Sequence, residues 1–467
     1  MTFILFLSSI VIFVAILTNK IFVKFGIPAL LFFMCLGMLF GVDGIFRIDY
    51  SDFIGTKNIA SLSLGFIIFY GGLCTKWKAA SSVFKESVTL ATLGVFLTAV
   101  FMALCCHIFL LLGWTESFLI GSVLASTDAA SVFSILREKH LNLKENTAPL
   151  LEIESGSNDP MSYVLTILAI ALLKNQSLGF VSFLFFKQMF LGALTGILMA
   201  KFAVAVFQKT KLIVNGNGTL FVMSVLFLTF SLSELYDGNP FLALYLFGII
   251  IGNSAIANKS AMLNFYDGIT RLAQIGIFFM LGLLAEPLKA LNALSAGWTV
   301  FLFLTFIVRP FVVWIILLFF KSSWQQILLT SWAGLRGVAS IVFAIIAVNS
   351  GLKLEYDLFH LVFFVSIFSV AIQGTLLPYI ATKMNMVDES GDIREIFNDF
   401  QEECAIKYLS VTVPANHEWV GKKIRDIKFS NDALVLTIHR SNTDFLPQET
   451  TMILEGDKVT FAIPAEY

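Results

Sequence analysis

Thirteen apolar runs, each long enough to cross a bilayer, leave this chain few folds to choose from. They lie at 2–18, 22–41, 58–75, 87–112, 117–136, 148–173, 180–207, 219–236, 240–257, 270–286, 297–320, 325–350 and 357–382. A helix needs roughly 17–25 apolar residues to span the hydrocarbon layer. Within that layer the backbone must satisfy its own N–H and C=O groups, so runs of this length fold as helices. Charge agrees: 13% of the 467 residues are charged and 57% are hydrophobic, about half the charge of a soluble domain. A soluble enzyme, a disordered regulator and a β-barrel are excluded. A net charge of −1 carries no nucleic-acid signature. The five cysteines (Cys35, Cys74, Cys105, Cys106 and Cys404) have neither metal nor redox spacing.

The first run lacks a basic leader and a small-residue cleavage site, so it is expected to remain as a span. Loop charge tests the count. With the N-terminus outside, the inner loops hold thirteen Lys and Arg, such as Lys76, Lys78 and Lys85, and the outer loops five, such as Arg47 and Lys174. This is the positive-inside arrangement for an outer N-terminus and a cytoplasmic C-terminus. Composition then changes. Residues 384–403 are acidic and polar and read as a linker. Residues 404–467 alternate as strands do, at 406–412, Ala433–His439 and Val459–Ile463, with a short helical pattern over Trp419–Ile427. The expected architecture is an all-α polytopic membrane domain over 1–383, the linker, and a small cytoplasmic α+β domain.

Two stretches repeat seven spans apart. Gly26-Ile-Pro28-Ala-Leu30 with Gly37 and Gly41 matches Gly238-Asn-Pro240-Phe-Leu242 with Gly248 and Gly252. Gly65 to Gly71-Gly72-Leu73 matches Gly276 to Gly282-Leu283. Seven is odd, so the copies cross in opposite directions. Inverted repeats of this kind put a transporter's site where the halves meet.

Ionisable groups inside spans are costly and default to functional candidates. Lys187 and Lys201 can reach opposite surfaces by snorkelling. Asp128, Glu154, Asp159, Arg309 and Arg336 cannot. Span 5 carries Ser126-Thr127-Asp128 among small residues, and span 12 carries Gly334-Leu-Arg336-Gly337. Both are expected to be broken helices at corresponding places in the two halves. In span 6, Glu154-Ser155-Gly-Ser-Asn158-Asp159-Pro160 sets Ser155 and Asp159 on one helical face and Glu154 and Asn158 on another. Pro160 removes the helical partner of the Gly156 carbonyl. A hydroxyl, a carboxylate and a carbonyl are hard oxygen ligands, suited to an alkali cation or a proton. Arg309 stays charged when buried and calls for a carboxylate, for which Glu154 is the candidate. Arg336 is expected to face the break in span 12 and to oppose Asp128 or the exposed helix ends. His107, His140 and His360 read as structural or solvated.

With these residues in view, the chain resembles the monovalent cation:proton antiporter superfamily, closest to the bacterial sodium/potassium–proton antiporters of the electroneutral branch. The resemblance covers about residues 1–385 and rests on Gly26-Ile-Pro28, Phe69-Tyr-Gly-Gly-Leu73, Ser126-Thr127-Asp128-Ala, Glu152 to Pro160, Arg309-Pro310 and Gly334-Leu-Arg336-Gly337. It implies a homodimer in a bacterial inner membrane, with a dimerisation domain and a moving core in each protomer. It implies a cation held by Thr127, Asp128, Ser155 and Asp159, with Thr127 acting through its backbone. Asp159 is then the carboxylate shared by cation and proton, supported by Glu154, Asn158, Arg309 and Arg336. Asn158 beside Asp159, where the electrogenic branch has two Asp, implies one proton per cation. Ala129 stands where the family often has Pro. K+ and Na+ both remain open as cargo, with K+ favoured, and no cofactor is implied.

The tail resembles the C-terminal subdomain of regulators of potassium conductance, through Pro414, Trp419-Val-Gly421, Ile427, His439-Arg440, Pro447 and Glu455-Gly456-Asp457. Some such subdomains bind cyclic dinucleotides, which makes a nucleotide or cyclic dinucleotide the class of ligand that resemblance suggests. No G-x-G-x-x-G lobe precedes it. Two rivals to antiport are a passive cation channel gated by the tail and a sensor built on a degenerate transporter fold. The repeat and the carboxylates argue against both.

Overall fold

The computed structural model describes residues 29–77, 81–139, 141–209, 217–254, 256, 259–288, 290–388, 406–414, 417–427, 434–440 and 443–464, with Ser9, Val11, Phe13 and Val14 of the first run. The rest of that run, the Gly26-Ile-Pro28 motif, His140, Cys404 and most of the acidic stretch 384–403 lie outside them. The chain divides into two compact units, Met1–Ile396 and Phe397–Tyr467.

In the first unit a helix occupies each run from the second onward. They are α1 (Ala29–Phe40), α2 (Phe53–Cys74), α3 (Phe84–Phe109), α4 (Trp114–Leu124), α5 (Ala129–Glu138), α6 (Thr147–Leu173), α7 (Leu178–Lys209), α8 (Asn217–Leu235), α9 (Pro240–Asn253) and α10 (Lys259–Leu284). Next, α11 runs Leu291–Phe303, passes a π turn at Leu304–Val308 and continues as Arg309–Phe319; then come α12 (Trp324–Trp332), α13 (Val338–Val348) and α14 (Leu358–Lys383). Seven of the described helices are long and apolar enough to cross a membrane unbroken. Large apolar side chains such as Phe183, Phe186 and Phe190 on α7 are exposed, as on a surface that meets lipid. The expected total of thirteen spans turns on the first run, which is mostly outside the described residues.

Two pairings follow the seven-span offset. Helix α1 packs on α10, and a Cβ added to Gly37 would lie 2.2 Å from the Phe279 carbonyl oxygen, with one on Gly282 2.2 Å from that of Met34. Helix α2 packs on α9, where a Cβ on Gly72 would meet the Tyr245 carbonyl at 2.5 Å and one on Gly248 that of Phe69 at 2.4 Å. Only glycine permits backbones to approach so closely. The two contacts are the same contact made by the two copies of the repeat, which is why the motifs recur. Helices α2, α7, α8, α9 and α10 share an apolar core that includes Phe69, Leu226, Phe247 and Tyr266. We refer to α1, α2 and α8–α10 as the scaffold and to α3–α6 and α11–α14 as the core helices.

Spans 5 and 12 are broken. Residues 126–128 and 334–337 are non-helical between α4 and α5 and between α12 and α13. The breaks cross: the Asp128 N–H donates to the Leu335 carbonyl at 2.8 Å. This puts unsatisfied helix ends in the middle of the bundle, where protein groups must satisfy them.

In the second unit, β1 (Ile406–Thr412), β2 (Leu434–Arg440), β3 (Thr443–Phe445) and β4 (Lys458–Pro464) form one antiparallel sheet in the order β1-β4-β2-β3. Val413, Ile438, Ile453, Val459 and Phe461 are its core. The short helix expected over Trp419–Ile427 is instead a turn followed by a 3-10 segment at Ile424–Asp426. The cause is competition for its amides: Gly421, Ile424 and Arg425 donate to the carbonyls of Ile453, Thr451 and Glu449, so they cannot close helical turns.

Asp457 is fully buried in this unit. Its carboxylate accepts from Arg440 Nε at 2.7 Å, Arg440 Nη2 at 2.6 Å and the Leu454 N–H at 2.8 Å. Burial pushes the carboxyl upward, but the hydrogen bonds and the charge of Arg440 outweigh it and hold the group below the ordinary carboxylate range. A depressed folded value stabilises the fold above the unfolded pKa, about 4, and that contribution is lost as pH falls through the folded value. Asp457→Asn is therefore expected to cost the sheet about 1–3 kcal/mol near neutral pH and much less once the pH has fallen through the folded value. Hydrogen-exchange protection of β2 and β4 in the full chain measures this; an equal loss at both pH values would disprove the linkage.

Candidate functional site

Helix α6 carries the acidic motif through Pro160 without breaking. Its Glu154, Ser155 and Asn158 are buried and Asp159 is half-buried. Glu154 lies against Arg309, with both carboxylate oxygens accepting from Nη1 and Nη2 at 3.1 Å. The two side chains are 1% and 2% exposed. A fork-on-fork pair of this kind holds a buried charge that neither partner could keep alone. Arg309 leaves α11 where the π turn Leu304–Val308 ends and Pro310 follows. Wide turns often mark functional positions, and this one sits where Pro310 has no N–H to give.

Asn158 joins this pair to the broken span. Its Nδ2 donates to Glu154 Oε1 at 3.3 Å and to the Thr127 hydroxyl, while its Oδ1 faces the Thr127 N–H at 3.4 Å. The Thr127 and Ser155 hydroxyls are 2.7 Å apart. Thr127 thus takes part through its hydroxyl and its N–H. Ser155 and Asp159 share a face of α6 in sequence, yet the hydroxyl that donates to Asp159 is that of Ser126. The break brings three consecutive residues, Ser126 to Asp128, over α6, and Ser155 goes to the middle one.

Asp128 is drawn to the helix ends. Its Oδ1 accepts the Ser131 N–H at 3.1 Å and its Oδ2 the Ser131 hydroxyl, which makes it the cap of α5. Gly337 begins α13, and a Cβ there would lie 2.0 Å from Asp128 Oδ2. One half-buried carboxylate therefore meets the N-termini of both half-helices, where negative charge is stabilised. Arg336 does the converse. It is 1% exposed, and its Nη1 donates to the Ser126 carbonyl at 2.7 Å, beyond the C-terminal end of α4. Its N–H donates to Ser369 Oγ at 2.9 Å, which donates to Gln373. Of the two roles expected for Arg336, the geometry is that of the helix ends, because Asp128 is already engaged by two N-termini.

Ser126 is the site residue that sequence reasoning passed over. It stood in the Ser-Thr-Asp string and was the signal at hand, but nothing in spacing says which of three adjacent side chains reaches α6. Ser131, Gly337 and the Leu335 carbonyl were missed likewise. The oxygen atoms near the break come from Asp159, Ser126, Thr127, Ser155 and Asp128. All are hard donors, able to replace water around an alkali cation, and the two carboxylates are less buried than the Glu154–Arg309 pair.

A family model described as sodium/hydrogen exchanger, transmembrane, matches residues 9–383, and the TrkA-C domain matches 408–467. The K(+)/H(+) antiporter NhaP2 of Shewanella baltica (strain OS223) is 32% identical over 458 residues, covering 95% of this chain and 78% of that protein. The K(+)/H(+) antiporter NhaP of Alkalimonas amylolytica is 31% identical over 461 residues, covering 98% and 79%. Among solved structures, the sodium proton antiporter MjNhaP1 from Methanocaldococcus jannaschii at pH 8 superposes with a TM-score of 0.70 at 21% identity, over 81% of this chain and 97% of that one. At that identity the likeness speaks for the fold.

Proposed function

Because the chain belongs to the sodium/hydrogen exchanger family and ends in a TrkA-C domain, we propose that it exchanges a monovalent cation for a proton across the membrane, with K+ preferred to Na+. The names of the relatives favour K+. The observation that carries the reading is Asp159: a half-buried carboxylate beside crossed helix breaks, next to a buried network already neutralised by Arg309. One carboxylate that takes either cargo couples the two fluxes, since cation and proton compete for it. An ionised, unoccupied Asp159 is costly in a dry barrier, so the site crosses loaded.

In this reading Asp159 binds both cargoes, with Ser126, Thr127, Ser155 and Asp128 as the nearby oxygen donors. Glu154, Asn158, Arg309 and Arg336 hold the frame. Asn158 is neutral, which gives one proton per cation. No cofactor takes part. The membrane domain has thirteen spans, with the N-terminus outside and the C-terminus in the cytoplasm of a bacterial cell. It works as a homodimer whose scaffold helices stay while the core helices move. Proton flux driven by K+ or Na+ gradients in proteoliposomes tests it. An antiporter drives protons uphill; a passive channel, the competing reading, only dissipates gradients.

The tail then regulates through a ligand that binds one transport state better than the other, a nucleotide or cyclic dinucleotide being the class to try first. Deleting residues after about 390 is expected to leave exchange intact and to change its pH profile, apparent affinity or response to such a ligand. A truncated protein that inserts but exchanges at no pH would make the tail part of the transport machinery.

A further inference from the structure

The Gly238-Asn-Pro240 repeat motif has a task of its own. Asn239 is fully buried at the start of α9. Its Oδ1 caps the helix, accepting from the Phe241 and Leu242 N–H groups at 3.0 and 3.1 Å. Its Nδ2 reaches across to α6 and donates to the Pro160 carbonyl at 2.7 Å. Pro160 is the residue after Asp159. A scaffold helix is thus tied to the backbone that carries the exchanging carboxylate.

Chain alternation locates this tie. Helix α14 ends on the face from which the tail leaves, so counting spans backward puts the start of α9 on the opposite, far face. Along α6 that face lies beyond Pro160. Two more side-chain bonds join scaffold to core there. The Glu286 N–H, just past α10, donates to Nε2 of His360 on α14 at 2.8 Å. Asn349 Nδ2, just past α13, donates to the Phe53 carbonyl at the start of α2 at 2.9 Å. The same count puts the Glu286 and Asn349 bonds at far-face ends, and the Asn239 bond where the start of α9 meets the middle of α6. Asp159 must be reached from each face in turn, so bonds that join scaffold to core on its far side have to part once in every cycle.

We propose that Asn239 is a positioning residue of the exchange cycle, whose amide, by holding the Pro160 carbonyl, keeps the far side of Asp159 shut in this conformer. The proposal rests on the antiport reading. His360 and Asn349 join scaffold to core on the same side.

The two roles of Asn239 can be separated. Asn239→Ser and Asn239→Asp keep an oxygen for the helix cap and lose the donor to Pro160. Apparent K+ affinity is measured from each face with the full chain in proteoliposomes of defined orientation. If the two conformers bind K+ alike, the ratio of the two apparent constants equals the ratio of their populations. Losing one hydrogen bond shifts that ratio about 2- to 10-fold toward the far-side-open conformer. A variant that merely folds poorly lowers the maximum rate and leaves the ratio alone. An unchanged ratio in both variants, with exchange still running, overturns the proposal. Failure of the wild-type chain to exchange K+ or Na+ for protons overturns the antiport reading instead, and shows without any variant.

Discussion

Asp159→Asn ends exchange. The amide keeps the size of the side chain and a partner for the Ser126 hydroxyl, so the fold should survive. It removes both the titrating proton and the negative charge that a cation meets. An uncompensated charge at the centre of a span costs about 2.5–3.5 kcal/mol on insertion scales, which alone slows cation passage on the order of a hundredfold. Coupling goes to zero, since no proton can be released. Cation-driven proton flux in proteoliposomes, with insertion checked by size-exclusion mobility against the wild type, is the measurement; wild-type flux from a well-inserted variant would remove Asp159 from the role given it. Asp128→Asn should do less. Asn is as good a cap as Asp for α5, so that variant keeps the crossing in shape and retains some activity.

Arg309→Ala should destabilise the protein more than it alters selectivity. Among the described residues Glu154 would keep only the 3.3 Å contact with Asn158, and leaving one partner of a fully buried pair charged costs about 3–5 kcal/mol. Replacing Glu154 by Gln removes the stranded charge and still accepts from Asn158. Glu154→Gln is therefore expected to recover part of the stability in the double variant. Thermal unfolding of the two single variants and the double variant closes a cycle. Additive losses would mean that the pair, despite its geometry, contributes nothing by being a pair.

Arg309 and Glu154 also illustrate what was legible in the chain. A mid-span arginine has to find a carboxylate, which made Glu154 a candidate; that it is Glu154 and not Asp128 or Asp159 is seen only in the packing. The glycine repeats were legible because small residues in membrane helices mark backbone contact: Gly37 and Gly248 of the G-x-x-x-G copies meet Gly282 and Gly72 of the other repeated motif. That the Ser155 hydroxyl meets Thr127 and Asp159 meets Ser126 was not legible, because helical spacing reports which residues share a face and says nothing of what the neighbouring element brings to it. The tail's Trp419–Ile427 failed differently. Its local pattern favours a turn of helix, but residues 449–453 lie beside it and take its N–H groups.

Long apolar runs, the side of the loop charges and the position of each buried ionisable group are properties of the chain alone, because the bilayer penalises a polar group wherever it is. They made this a helical membrane protein with opposed halves and put Asp128, Glu154, Asp159, Arg309 and Arg336 in its interior. The division of labour among those five came from packing. Asp128 faces two helix N-termini, Arg336 a helix C-terminal end, and Asp159 the Ser126 hydroxyl, since Gly337 and Arg336 meet the Ser126–Asp128 stretch only through the way the two breaks cross, and Ser126 reaches Asp159 only through the packing of the first break on α6. Asn239 is the clearest instance: its cap on α9 is readable from Asn-Pro, whereas its grip on Pro160, 79 positions earlier in the chain, exists only because the intervening helices return it to α6.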